Sequence, residues 1–123
     1  MLDVERREYE GCIALAFRFT PDLDKASVAA MARRVEQAMD ETDRLHLLLD
    51  FRAIDAIEPS AFASIDGAFV SLKSIGPVKR YAVLGAPDLA ARAVDAFGAL
   101  LPLEARSFEA HEVAEARAWI FDG

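Results

Sequence analysis

Three short apolar runs constrain the fold of this chain more than any other feature of its sequence. They span residues 12–17, 45–49 and 81–84, and His46 is the one strongly polar residue among them. A run without polar alternation is typical of a strand that is covered on both faces, as in a parallel sheet. Runs of four to six residues have the length of strands and are short for helices. They predict three central strands.

Amphipathic helical patterns separate these runs. The first helix is predicted to begin at Thr20 and Pro21, and the second is predicted between Glu58 and Gly76. A final strand is predicted over residues 104–108. Apolar side chains recur at three- and four-residue spacing in four sets: Val28, Met31, Val35 and Met39; Phe62, Ile65, Phe69 and Leu72; Leu89, Ala93, Phe97 and Leu100; Val113, Ala116, Trp119 and Ile120.

The order of these elements predicts an α/β fold. Residues 1–10 alternate weakly, and Glu10 and Gly11 form a natural turn, so the first strand should pair antiparallel with the second. Helices between later strands require parallel crossovers. We therefore predict one domain over residues 1–123 with a mainly parallel five-stranded sheet, an antiparallel first strand and four helices. Ligands of such sheets bind at the carboxyl ends of the strands, here after Phe17, Asp50 and Leu84.

Charge and composition exclude several classes of function. The formal net charge of −7 opposes nucleic-acid binding, which needs a basic surface. No stretch has the roughly 20 apolar residues of a membrane helix, and no secretory signal is evident at the N-terminus. A single cysteine cannot form an intramolecular disulfide. We expect a cytoplasmic protein without a membrane span.

Groups that could carry catalysis are scattered along the chain. No glycine-rich nucleotide loop is present, and His46 and His111 lack the spacing of metal ligands, so we expect no cofactor and no metal. Cys12 and His46 could form a pair on adjacent strands, but Cys12 is more typical of a small core residue. We expect a protein that is not an enzyme and has no catalytic residues.

The segment after the central strand carries the candidate site. Its strand ends in a carboxylate, Ile54 and Ile57 return to the core, and a helix start follows. Free backbone N–H groups at a helix start can bind an anion. The candidate anion- or partner-binding loop therefore consists of Asp50, Asp55, Glu58 and Ser60. The same residues could serve only to begin the helix, or the carboxylates could belong to a small hydrolase or isomerase.

This segment resembles the motif of the STAS domains of bacterial anti-sigma-factor antagonists, which have the SpoIIAA-like fold. In that motif an Asp ends a strand, and Ile-Asp-Ser-Ser/Thr-Gly-Leu opens the next helix. Asp50, Ile57, Glu58, Pro59, Ser60, Ala61 and Phe62 fall in turn on these positions. The C-terminal pattern of Ala116, Trp119 and Ile120 is similar to that of stand-alone SpoIIAA-like proteins, which are grouped in fold with lipid-binding CRAL-TRIO domains.

The resemblance implies a non-enzymatic binding or regulatory module. Its ligand would be a partner protein docked on the second helix, or a small lipophilic molecule between that helix and the sheet. The candidate apolar pocket consists of Phe62, Ile65, Phe69, Phe97 and Leu100. The alternative is an anti-sigma-factor antagonist switched by phosphorylation. The family's first serine corresponds to Pro59, which has no hydroxyl, so Ser60 is the phosphoacceptor candidate.

One further stretch has more apolar residues than a single buried helix stripe needs. Residues 96–103 include only small and apolar side chains. We expect part of this stretch to form a homodimer contact.

Overall fold

Strands and helices alternate along the part of the chain that the structure, a computed structural model, describes. This part covers residues 2–20, 22–54, 56–57, 78–85 and 104–121, with backbone alone at 22–23 and 56–57. The elements are β1 (Leu2–Tyr9), β2 (Cys12–Phe19), β3 (Asp22–Leu23), α1 (Lys25–Glu41), β4 (Arg44–Asp50), β5 (Ala56–Ile57), β6 (Val78–Leu84), β7 (Glu104–Phe108) and α2 (Val113–Phe121), with one turn of 3-10 helix at Ala110–Glu112.

The main sheet has five strands in the order β1-β2-β4-β6-β7. Strands β1 and β2 are antiparallel, and each other neighbouring pair is parallel. This confirms the predicted α/β class and the antiparallel first strand. The described residues contain two α-helices and not the four that we expected, and the helices predicted over 62–72 and 89–100 lie outside those residues. No described helix is long and apolar enough to cross a membrane.

The turn predicted at Glu10 and Gly11 is confirmed. Tyr9 and Cys12 are register partners, so two residues connect β1 to β2. Both turn residues have positive φ angles, 49° at Glu10 and 78° at Gly11. Tight hairpins need such left-handed residues because their twist matches that of the strands. Gly11 adopts this conformation without the steric cost of a side chain.

The predicted start of α1 at Thr20 and Pro21 is wrong. Strand β2 continues to Phe19, and residues 22–23 form β3, which pairs in parallel with β5. The helix begins after Asp24, whose carboxylate accepts a hydrogen bond of 2.8 Å from the Ser27 N–H. This bond lowers the pKa of Asp24. Pairing with β5 is a long-range interaction, so the local helix signals could not reveal it.

The two faces of the sheet carry side chains of different size. Successive residues of a strand point to opposite faces, so each central strand contributes to both. Large side chains of the sheet pack under α1, among them Phe17, Leu47 and Leu49, whereas alanines are frequent under α2. The second core contains Ala14, Ala16, Leu48, Ala82, Leu84, Phe108, Ala116, Ile120 and Phe121. Small side chains allow the nine-residue α2 to lie close to the sheet.

His46 has a structural role in the core. It is 2% exposed, and its Nδ1 lies 2.9 Å from the carbonyl oxygen of Ile120, to which the neutral ring donates. This bond connects the central strand to α2. The register places Ala14, and not Cys12, beside His46. Burial lowers the pKa of His46 because it disfavours the charged ring, and nearby Arg80 and Arg44 act in the same direction.

We expect the stability of the protein to fall as the pH drops through the unfolded-state pKa of histidine, about 6.5. The folded-state pKa of His46 is lowered, so below pH 6.5 the unfolded chain takes up a proton that the folded chain refuses. The contribution of His46 to the slope of the free energy of unfolding against pH cannot exceed about 1.4 kcal/mol per pH unit. Urea unfolding between pH 7.5 and 5.5 gives the free energy of unfolding of the wild type and of His46→Gln at each pH. The difference between these two pH curves is the contribution of His46. Parallel curves would contradict the prediction.

Candidate functional site

A cleft of about 240 Å³ lies at the carboxyl ends of β2 and β4, beside α2. We call it the strand-end cleft. It is at the edge of the sheet where the sequence placed the functional site. Residues from β1, the ends of β2, β4 and β6, the turn after β4, and α2 line it: Asp3, Val4, Glu5, Ala16, Phe17, Arg18, Leu48, Asp50, Arg52, Leu84, Val113 and Arg117.

Half of the residues that line the strand-end cleft are charged. Three are acidic and three are arginines, so the lining is formally neutral although the whole chain carries −7. The charged residues are Asp3, Glu5, Asp50, Arg18, Arg52 and Arg117. Four of them form two ion pairs. Arginine can bind a carboxylate or phosphate through two parallel hydrogen bonds, so this lining is suited to polar ligands.

Asp50 and Arg52 form the first ion pair. Asp50 ends β4 and is 7% exposed. Its Oδ1 accepts from the Arg52 backbone N–H at 2.9 Å and from Nε at 3.0 Å, and its Oδ2 accepts from Nη2 at 2.7 Å. This pairing raises the pKa of Arg52. Both carboxylate oxygens of Asp50 are therefore occupied by the residue two positions later, and the pair holds the turn at the end of the central strand.

Gly85 makes room for this turn. Its N–H donates to the Phe108 carbonyl oxygen at 2.9 Å, and the Phe51 N–H donates to the Leu84 carbonyl oxygen at 2.9 Å. Gly85 has a φ of 70°, and a Cβ built on it would lie 3.0 Å from the Arg52 Cγ. A side chain at this position would therefore push against Arg52.

Glu5 and Arg117 form the second ion pair. Arg117 Nη2 lies 2.7 Å from Glu5 Oε2, and Arg7 Nε lies 3.2 Å from the same oxygen. Arg117 lowers the pKa of Glu5. The guanidinium of Arg117 also lies 4.8 Å from the centre of the Phe121 ring, where it makes a cation–π contact. Arg117 thus connects α2 to the edge strand β1.

Arg18 and Asp3 are the two remaining charged residues of the lining. They face each other in the register of β1 and β2, and both are exposed. Arg18 is the one exposed residue among the eight of β2. In the structure as described, neither side chain forms a hydrogen bond or an ion pair within 4 Å. Among the described residues, one cation and one anion of the strand-end cleft, Arg18 and Asp3, therefore have no partner.

Of the predicted site residues, the structure places only Asp50, which lines the cleft. Asp55, Glu58 and Ser60 lie outside the described residues, and so do residues 96–103 of the expected homodimer contact. The same holds for the whole candidate apolar pocket: Phe62, Ile65, Phe69, Phe97 and Leu100. Sequence reasoning missed Arg18. A signal was present, because Arg18 is a charged residue that directly follows an unbroken apolar run.

The other groups considered for catalysis have structural contacts. Cys12 is 1% exposed, and its thiol faces the carbonyl oxygen of Ile13 at 4.0 Å. Ligand atoms of Glu109, His111 and Glu112 lie within 4.8 Å of one another. However, Glu109 and Glu112 form a capping box at the start of the 3-10 helix, with the Glu109 N–H donating to Glu112 at 2.8 Å. Their carboxylates thus serve the helix start.

Comparison with known proteins agrees with the resemblance seen in the sequence. The SpoIIAA-like family matches residues 14–121. A similar solved structure is the crystal structure of an uncharacterized protein of the DUF3478 family, with a SpoIIAA-like fold, from Shewanella loihica PV-4. The two are 21% identical, with a TM-score of 0.67, and the match covers 97% of this chain and 93% of that chain. No curated protein matches this chain.

Proposed function

Because the chain belongs to the SpoIIAA-like family, we propose that it is a non-enzymatic binding module of the STAS type that docks a partner protein at the strand-end cleft. One observation carries this proposal. The cleft lies at the carboxyl edge of the sheet, and Arg18 and Asp3 in its lining have no partner among the described residues. Exposed charges at such an edge are available to a second protein.

Size and polarity of the strand-end cleft favour a partner protein over a small lipophilic ligand. Its volume of about 240 Å³ is below the roughly 300–1,000 Å³ of most small-molecule sites. Half of its lining is charged, and covering charged groups with an apolar molecule removes them from water at a cost. A lipophilic ligand would instead need the candidate pocket around Phe62 and Phe97, which stays a prediction from the sequence.

The contacts of the titratable groups support a role in binding without catalysis. Arg52 binds both oxygens of Asp50, and this pair holds the turn after β4. His46 is buried, and its Nδ1 is bonded to the carbonyl oxygen of Ile120.

Phosphorylation at Ser60 belongs to the alternative function, that of an anti-sigma-factor antagonist. Intact-mass analysis after incubation with candidate kinases tests it, and an added phosphate on Ser60 would support it.

Site-specific photo-crosslinking in the organism of origin tests the docking function. A photoreactive amino acid replaces Asp3, at the cleft, or Arg33, an exposed residue of α1 on the other side of the sheet. We expect one discrete protein adduct from position 3 and none of that mass from position 33. The protein identified in the adduct should then bind the purified wild-type chain in calorimetry. Equal adduct patterns at both positions, or no binding by the purified pair, would overturn the proposal.

A further inference from the structure

We infer that the strand-end cleft recognises a carboxylate, namely an acidic side chain of the partner protein, and that Arg18 is the residue that binds it. This inference rests on the proposed docking function and adds the chemistry of the group that is docked. It is carried by the position of Arg18, by the engagement of the other two arginines, and by the charge of the surrounding lining.

Arg18 occupies a position at which the fold would be expected to place an apolar residue. It continues the series Cys12, Ala14 and Ala16 along one face of β2, and these three residues are at most 8% exposed. Arg18 is exposed and opens into the strand-end cleft. Its guanidinium therefore makes no described contribution to the core. It presents a cation at the edge of the sheet where ligands of parallel sheets bind.

The other two arginines of the cleft are already engaged. Arg52 binds both oxygens of Asp50, with Nη2 at 2.7 Å from Oδ2. Arg117 binds Glu5 at 2.7 Å and stacks on the Phe121 ring. Arg18 keeps its N–H donors free of any described acceptor. A guanidinium has a planar fork of donors that fits the two oxygens of a carboxylate.

Asp3 favours a singly charged group over a doubly charged one and keeps its binding reversible. It lies opposite Arg18 in the register and has no partner among the described residues. Its negative charge repels a doubly charged phosphate more strongly than a carboxylate. Asp3 also competes for Arg18, because opposite charges on facing strands attract each other. Removal of the Asp3 charge should therefore strengthen binding of a carboxylate.

A titration followed by NMR of backbone amides and arginine Nε–H groups tests this inference on the full chain. The probes are glutamate blocked at both ends (N-acetyl, N-methylamide), the equally blocked glutamine, and free glutamate, all at constant ionic strength. We expect blocked glutamate to shift the Arg18 signals saturably, with a Kd on the order of 10 mM, because few contacts form. Blocked glutamine, which lacks the charge, should cause no saturable shift.

Three variants make the test specific. Arg18→Gln should weaken binding of blocked glutamate roughly tenfold or more, and Asp3→Asn should strengthen it a few-fold. Arg33→Gln on α1 should leave it unchanged. Well-dispersed amide spectra show that each variant is folded. Unchanged binding in Arg18→Gln, or equal binding of blocked glutamine, would overturn the inference.

Two further outcomes separate the possible ligands and the two proposals. If free glutamate binds more tightly than blocked glutamate and Asp3→Asn weakens the binding of free glutamate, the cleft recognises a zwitterion. This outcome overturns the inference. A discrete crosslinked partner without binding of blocked glutamate overturns the role of Arg18 and leaves the docking function standing. Binding of blocked glutamate without a crosslinked partner overturns the docking function. The carboxylate that the cleft binds would then not come from a side chain of a partner protein.

Discussion

Replacement of Leu47 by alanine is expected to lower the free energy of unfolding by about 2–5 kcal/mol. Leu47 lies in the middle of the central strand β4 between Leu15 of β2 and Tyr81 of β6, and it is 0% exposed. Its removal leaves a cavity that the two neighbouring strands and α1 cannot easily fill. A loss of this size is a large fraction of the roughly 5–15 kcal/mol that stabilise a typical domain. Chemical denaturation of the purified variant measures it.

The matched control is Leu2→Ala on the edge strand β1. Leu2 is half-buried and packs at the margin of the same core. The same truncation there removes less buried surface and leaves a space that water can enter. We expect a loss well below that of Leu47→Ala. Equal losses at both positions would show that Leu47 is not in a tightly packed core.

Replacement of Ala82 by leucine is expected to destabilise the fold by about 1–3 kcal/mol and to displace α2. Ala82 is 0% exposed and belongs to the alanine-rich core under that helix. Three additional carbon atoms cannot fit unless α2 moves away from the sheet, because close packing leaves few voids. The displacement would also weaken the bond between His46 and Ile120 and reshape the strand-end cleft.

The chain's single tryptophan reports this displacement. Trp119 lies on α2, with its ring centre 6.0 Å from that of Phe108 and 5.1 Å from the Arg80 guanidinium carbon. Its fluorescence emission should shift to longer wavelength in Ala82→Leu as the ring becomes more hydrated. Ala29→Leu on the exposed side of α1 is the control, and we expect it to be nearly neutral. An unchanged emission together with full stability would contradict the prediction.

Local patterns in the sequence were sufficient for the order of the five strands of the main sheet and of the helices α1 and α2. The apolar runs became β2, β4 and β6 because a strand that is covered on both faces needs apolar residues at every position. The hairpin turn followed from Gly11, since glycine accepts the left-handed conformation of a tight turn without steric cost. These features depend on neighbours within a few positions of the chain.

Features that join distant segments of the chain could not be predicted in this way. The short pair of β3 and β5 joins residues more than 30 positions apart, and its two-residue strands have no periodicity. α1 begins after β3 and the cap residue Asp24, and not at Thr20. The role of Gly85 likewise depends on its contact with Arg52, which follows a different strand.

The sequence by itself determined the α/β class, the antiparallel first strand and the edge of the sheet at which a site was expected, because hydrophobic periodicity and turn residues act locally. Only the tertiary structure decided which charges at that edge are paired. Asp50 and Glu5 are bound by Arg52 and Arg117, whereas Arg18, opposite Asp3 in the register, has no partner among the described residues. Whether a charge is paired depends on distances between side chains of separate strands and of α2, and these distances are set only when the sheet and helix pack together.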